Sequence, residues 1–316
     1  MRILFVTANR VGDAVLSTGL LMHLARLYPD ARITIAAGPA AGSLFRNAPC
    51  LEHLIIVEKK PFEAHWFSLW RACLFQNWNI IVDLRRSALS YFLRSNSRYI
   101  IPKTSRQMHR VELIASTLRL RHSPPSPVLW PDEVQDIMSP NVPIIGVAPA
   151  ANWIGKQWRA ERFLKLVLNL TSNDGLFPGA VTAIFASADE RPQVLPILEA
   201  LPKDKKIDLV GIGDLATVGG HLQKCRFFIG NDSGLMHMAA AAGIPTLGLF
   251  GPSRTEHYAP WGKNCAYVRT NQSYDQLISA PGYNHRTTGT LMDGLSVSKV
   301  YDAAKQLWQS VKQNTK

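Results

Sequence analysis

The sequence predicts an α/β protein of two Rossmann-like, doubly wound parallel-sheet domains facing a central cleft, on three observations. Short β-branched apolar runs alternate with helical patterns along most of the 316 residues, and strand, helix, strand at that rhythm makes a parallel sheet wrapped by helices. The rhythm stops in a proline-rich piece near mid-chain and then restarts. Each half also carries a small-residue loop that runs directly from a strand into a helix.

In the first half, strands are expected at Ile3 to Thr7, Arg32 to Ala37, Leu54 to Val57 and Ile80 to Asp83, with a helix from about Ala14 to Tyr28. The piece from Ser123 to Pro143 holds Pro124, Pro125, Pro127, Pro131, Pro140 and Pro143. Proline lacks the amide donor, so this piece cannot sustain a helix or a central strand. It reads as the linker between domains 1–135 and 136–296. In the second half, strands are expected at Ile144 to Ala148, Val181 to Ala186, Ile207 to Val210, Phe227 to Gly230 and Thr246 to Phe250, with a helix near Ala160 to Thr171. Val297, Val300, Ala304, Leu307, Trp308 and Val311 then recur at helical spacing. They predict a terminal helix over 297–316 that packs back on the first domain. Two such domains in tandem leave a cleft at the carboxyl ends of their strands, where open α/β sheets bind ligands.

Composition narrows the class. With 47% hydrophobic and 18% charged residues the chain buries real cores. The opening Met-Arg-Ile-Leu-Phe-Val is interrupted by Asn9, Arg10 and Asp13 too soon for a signal-peptide core, and no apolar run approaches a membrane span. The expected location is cytoplasmic, with peripheral contact on the cytoplasmic face of the inner membrane open. Four cysteines, Cys50, Cys73, Cys225 and Cys265, stand singly without metal or redox spacing, and read as buried thiols of a reducing compartment.

The net charge of +12 attracts anions. It is concentrated where Arg85, Arg86, Arg94, Arg98, Lys103, Arg106, Arg110, Arg119 and Arg121 face only Asp83 and Glu112. A solvated basic face and a site for an anionic acceptor both account for it. Nucleic acid is disfavoured, because no base-stacking alternation of aromatic and basic residues is present. Arg85, Arg86, Lys103, Arg106, His109 and Arg110 are the acceptor candidates, on charge alone.

The most informative segment is Ile229-Gly230-Asn231-Asp232-Ser233-Gly234-Leu235-Met236-His237, followed by an alanine run, Gly243 and Pro245. A strand end, a small polar turn and an immediate helix aim free amides and the positive end of the helix dipole at one spot, which suits a diphosphate. An ordinary helix capped by Asp232 or Ser233 has the same pattern.

Asp-Ser-Gly, two residues, His, an Ala-rich helix and a strand leading to Phe250-Gly251-Pro252-Ser253 resemble the donor-binding signature of glycosyltransferase family 9, the bacterial ADP-heptose:lipopolysaccharide heptosyltransferases. The opening Val11-Gly12-Asp13-Ala14-Val15-Leu16 is similar to the family's first glycine-rich loop. The resemblance runs over most of the chain in order. It implies the GT-B fold and an inverting transfer of a heptose or similar sugar from a nucleoside-diphosphate sugar, by default ADP-heptose, to the inner core of lipopolysaccharide. Asp13 is then the candidate base that takes the acceptor proton; its other reading is a helix cap. Lys156, in the lysine-x-tryptophan element with Trp158, would meet the donor phosphates, though Trp158 also fits a core. Glu190 corresponds to the family's ribose contact, with Asp189 an equal competitor. Ser233, Gly234 and Asp232 would hold the nucleotide, and His237 reaches a phosphate or packs. No Asp-x-Asp motif is present, so no metal or other cofactor is expected and the leaving group is stabilised by the protein.

Three rivals stand beside this reading. Gly211-Ile212-Gly213-Asp214-Leu215-Ala216 fits a dinucleotide fingerprint, with Asp232 near the expected distance, and would mean an NAD-dependent oxidoreductase. A nucleotide-sugar-binding protein without transferase activity and an epimerase of the same architecture keep the fold and change the chemistry. Arg10-Val11-Gly12 before Asp13 departs from the family's best-known members, and Ser273 to Gly294 has no confident match, so donor and acceptor identity stay open.

Overall fold

A computed structural model describes residues 1–103, 108–136 and 142–314. The chain divides into two units, Met1–Asp132 with Asp214–Gly219, and Glu133–Gly213 with Gly220–Lys316. The first holds β1 (Arg2–Val6), α1 (Val11–Leu27), β2 (Arg32–Ala37), β3 (Leu51–Ile56), α2 (Ala64–Cys73), β4 (Trp78–Asp83), β5 (Ser95–Ile100) and α3 (Arg110–Ser116). The five strands are parallel in the order β3-β2-β1-β4-β5. Strand β1 is buried along nearly its whole length because helices cover both faces, which is why it reads as a continuous apolar run.

The second unit contains β6 (Ile144–Ala148), α4 (Ala160–Thr171), β7 (Val181–Ala186), α5 (Arg191–Ala200) and β8 (Lys206–Val210). After α6 (Leu215–Gln223) come β9 (Phe227–Asn231), α7 (Gly234–Ala241), β10 (Thr246–Phe250), α8 (Thr255–Tyr258), β11 (Cys265–Arg269), α9 (Tyr274–Ile278) and α10 (Val297–Asn314). Its six strands are ordered β11-β10-β9-β6-β7-β8. Both sheets are doubly wound, and the strand order reverses beside β1 in one and beside β6 in the other. Ligands of open α/β sheets gather at the carboxyl ends of the strands at such a reversal.

The linker reading is refined by the prolines' neighbours. Val128 N donates to Thr18 Oγ1 of α1 at 2.9 Å. A Cβ on Gly19 would stand 2.3 Å from the Pro125 carbonyl oxygen, so α1 and the proline segment touch through bare backbone. The piece is therefore fastened to the first unit up to Asp132.

The terminal helix corrects an expectation. Val300, Ala304, Leu307 and Trp308 of α10 lie in the core of the second unit with Ile145, Phe227 and Leu247, and Trp308 packs 5.0 Å from Phe177. The apolar stripe expected to face the first domain is complementary to the second sheet.

The dinucleotide fingerprint opens a helix at a sheet edge. Strand β8 is an edge strand, away from the reversal that a dinucleotide fold uses. Asp214 Oδ1 accepts from Ala216 N at 3.1 Å and caps α6, while Arg46 pairs with Asp214 at 2.6 Å and with Asp132. The loop is a capped helix start. Of the four thiols, Cys73 and Cys225 are buried as expected, while Cys50 and Cys265 are only half-buried.

Candidate functional site

In the first unit, the loop after β1 passes directly into α1, so Asp13 falls in the first turn of that helix. A carboxylate there lies in the favourable field of the helix N-terminus. Its side chain is partly exposed, and Arg110 Nε lies 3.4 Å from Oδ1, an ion-pair distance without hydrogen-bond alignment. The carboxylate thus meets solvent beside a cation.

The basic stretch is less uniform than its composition suggests. Asp83, fully buried at the end of β4, accepts from Arg85 N at 2.8 Å and from the Ser87 amide and hydroxyl at 2.8 and 2.7 Å. It folds the basic turn. Arg85 donates to Asn9 Oδ1 at 2.9 Å and stacks 4.5 Å from the Trp66 ring. Burial holds its pKa below the ordinary value, against the opposing pull of Asp83 and Glu63. Arg86 has a left-handed φ of 53° and reaches the Ile101 carbonyl. Lys103 is exposed, and Arg106 lies outside the described residues.

His109 carries a structural duty. It is the N-cap of α3, its Nδ1 accepting from Val111 N at 3.2 Å while Glu112 accepts from the His109 amide. Arg98 is likewise spent on the backbone carbonyls of Ser90 and Leu93.

In the second unit the two loops that flank the reversal, after β6 and after β9, bring the other candidates together. Lys156 Nζ donates to Asp232 Oδ2 at 2.6 Å, and His237 Nε2 lies 4.0 Å from Asp232 Oδ1. Asp232 is only 7% exposed and Lys156 27%, so the pair stands at a surface with its cation outermost. Ser233 is the N-cap of α7 with extended backbone; its Oγ is buried and has no hydrogen-bond partner. The first amides of an α-helix lack partners within it, so a cation, a helix N-terminus and a hydroxyl converge on one place. Such a place suits a phosphate group.

Glu190 stands at the carboxyl end of β7, next to β6. Its Oε2 accepts from Ser187 N at 3.1 Å, which leaves one oxygen for another donor. Asp189 is exposed. Trp158 is core: it is 1% exposed, donates to the Leu295 carbonyl at 2.8 Å and meets Phe163 edge-on at 5.0 Å.

With this geometry in view, the comparisons decide the class. The model of glycosyltransferase family 9 (heptosyltransferase) matches residues 91–280. The chain belongs to glycosyltransferase family 9. A lipooligosaccharide heptosyltransferase 2 of Campylobacter jejuni is 26% identical over 97% of this chain and 98% of its own. A family 9 glycosyltransferase from Veillonella parvula superposes with a TM-score of 0.76 at 21% identity, covering 97% of this chain and 96% of that one. An E. coli heptosyltransferase solved with ADP gives 0.73 at 16% identity, covering 97% and 100%. The GT-B architecture of these structures is the fold described above.

Two features of the family 9 site escaped the sequence reading. Asn231, fully buried at the last position of β9, accepts from Trp158 N at 3.2 Å and donates to the Pro149 carbonyl at 2.6 Å, tying the two loops at the reversal. Its signal was a polar residue closing an apolar strand. The segment Ser273 to Gly294 straps the lysine turn: Leu291 N donates to the Gly155 carbonyl at 3.0 Å, and Thr290 Oγ1 donates to that of Gln157. Trp153 stacks on His285 at 4.6 Å and donates to its carbonyl. No local pattern marks that strap, because its partners lie more than a hundred residues earlier. Among the described residues, no group of three or more His, Cys, Asp or Glu could hold a metal ion, and no helix is long and apolar enough to cross a membrane.

Proposed function

We propose that this family 9 chain is an inverting, metal-independent heptosyltransferase that moves a heptose from ADP-heptose to an anionic acceptor, the inner core of lipopolysaccharide, on the cytoplasmic side of the inner membrane. The observation that carries the donor half is Lys156 held by Asp232 at the N-terminus of α7, at the reversal of the second sheet. The relative solved with ADP and the curated heptosyltransferases support the choice of nucleotide and sugar.

In this mechanism the acceptor oxygen attacks the anomeric carbon as the bond to the diphosphate oxygen breaks, inverting that centre. Asp13 accepts the hydroxyl proton. Charge developing on the leaving ADP is met by Lys156, the Ser233 hydroxyl and the amides that begin with Gly234. A carboxylate repels a diphosphate, so Asp232 serves the anion by holding the lysine and by facing His237. Glu190 offers its second oxygen to the ribose hydroxyls. Arg110 beside Asp13, with Arg85, Arg86, Lys103 and Arg106, supplies the positive field for the acceptor, and His109 sets the start of α3 that carries Arg110.

Asp13→Asn tests the base. Turnover should fall about 10²- to 10⁴-fold, the range for a positioned base, with ADP affinity by calorimetry unchanged. Near-normal turnover on the true acceptor would remove Asp13 from the role.

A further inference from the structure

Among the described residues, every exposed phenylalanine lies between positions 62 and 92: Phe62, Phe67, Phe75 and Phe92 are 64% to 102% exposed, and Tyr91 beside them is 69% exposed. Exposed apolar residues scattered singly need no explanation, whereas a contiguous group does. These are joined. Trp70 on α2 stacks on Phe67 at 5.6 Å and donates its indole N–H to the Phe92 carbonyl at 3.2 Å. That bond ties α2 to the short 3-10 turn Ala88–Tyr91. Phe67, Arg71 and Phe75 follow one another at four-residue spacing, opposite the buried His65, Leu69 and Cys73. The inner face of α2 is thus satisfied by the core of Leu4, Ile81, Leu89 and Leu93, and the outer face is aromatic with nothing over it. Phe62 and Glu63 moreover adopt left-handed φ of 52° and 57°. A bulky side chain kept outward by strained backbone points to a use for it.

The surrounding charge names the partner. Lys59, Lys60, Arg71 and Arg94 are exposed around the aromatics, and from position 58 to 103 eight lysines and arginines face three carboxylates. One of the three, Asp83, is buried in the basic turn, and Glu63 is taken by the Trp66 indole at 2.9 Å and by His65. Exposed aromatic rings rimmed by cations suit the bilayer interface, where rings sit at headgroup depth and lysine or arginine meets anionic lipid.

We propose that Phe62, Phe67, Phe75, Tyr91 and Phe92, framed by Lys59, Lys60, Arg71 and Arg94, dock the first unit on the surface of an anionic phospholipid bilayer without spanning it. The inference goes beyond the transferase reading and does not rest on it. The test is cosedimentation of the full chain with vesicles of phosphatidylcholine alone and of phosphatidylcholine mixed equally with phosphatidylglycerol. Binding to the anionic vesicles only, weakened by salt, with a blue shift of tryptophan emission from Trp66 and Trp70, is the expected result. Phe67→Ser, Phe75→Ser and Phe92→Ser together should lower vesicle partitioning at least about tenfold with unchanged circular dichroism, and Arg71→Gln with Arg94→Gln should remove the preference for anionic lipid. Absence of binding, or binding that the serine variant retains, overturns the proposal. So does a concentration-dependent dimer by sedimentation velocity that the serine variant abolishes, because the patch would then cover a second copy.

Discussion

At the scale of single residues, the Lys156–Asp232 pair makes two predictions separable. Lys156→Ala should weaken ADP binding by about 1.5 to 3 kcal/mol, the worth of a charge-assisted hydrogen bond, read by calorimetry; unchanged affinity would contradict the assignment. The same change leaves the Asp232 carboxylate, 7% exposed, without its 2.6 Å cation, so the ligand-free protein should also lose stability. His221 offers a pH test. Burial, helped by Lys224, holds its pKa below the ordinary 6.5. The unfolded chain therefore binds a proton that the folded chain refuses, and stability falls as pH drops through 6.5 and below. The Tm of the native chain should fall more between pH 7.5 and 5.5 than that of His221→Gln; equal slopes would show that the ring does not carry the effect. The turn of Asp232 and Ser233 was legible as a strand-to-helix junction, whereas Lys156 and the role of Asp13 came from the family resemblance. The cap made by His109 could not be read in advance, because an imidazole and a charge-rich neighbourhood look alike whether the ring binds an anion or caps a helix.

At the scale of elements, the interior strands were readable, and of the four edge strands β3 and β8 were readable and two were not. Strands β2 and β10 and helix α4 fall where the apolar pattern puts them, since burial on both faces writes an uninterrupted signal. Strands β5 and β11 were missed; each is an edge strand with alternating or partial burial, and its polar residues are indistinguishable from a loop. Helix α2 was missed because its outer face is aromatic, which blurs the helical stripe. The junction of α1 with the proline segment carries a prediction. Gly19→Ala would drive a methyl to 2.3 Å from the Pro125 oxygen and 2.5 Å from that of Ser126. Neither atom belongs to a flexible side chain, so the cost is about 1 to 3 kcal/mol, seen as a lower urea midpoint at unchanged slope. A wild-type midpoint would mean that the segment lifts away freely.

For the whole molecule, two doubly wound units make ligand linkage selective. A ligand that binds the native state alone raises apparent stability, so ADP should raise the unfolding free energy by about 2.7 kcal/mol at a hundredfold excess over its Kd, seen as a higher melting temperature. EDTA should leave both this shift and turnover in place; loss of either with rescue by magnesium would refute metal independence. What the sequence determined by itself was the class of fold and the family, because periodicity and loop-helix motifs act over a few residues. Only tertiary structure decided which cations have partners, that α10 belongs to the second core, that Asn231 and the strap from Ser273 to Gly294 hold the lysine turn, and that four phenylalanines face outward. Those facts depend on contacts between residues far apart in the chain, and a linear pattern cannot tell a side chain that meets a partner from one of the same type that does not.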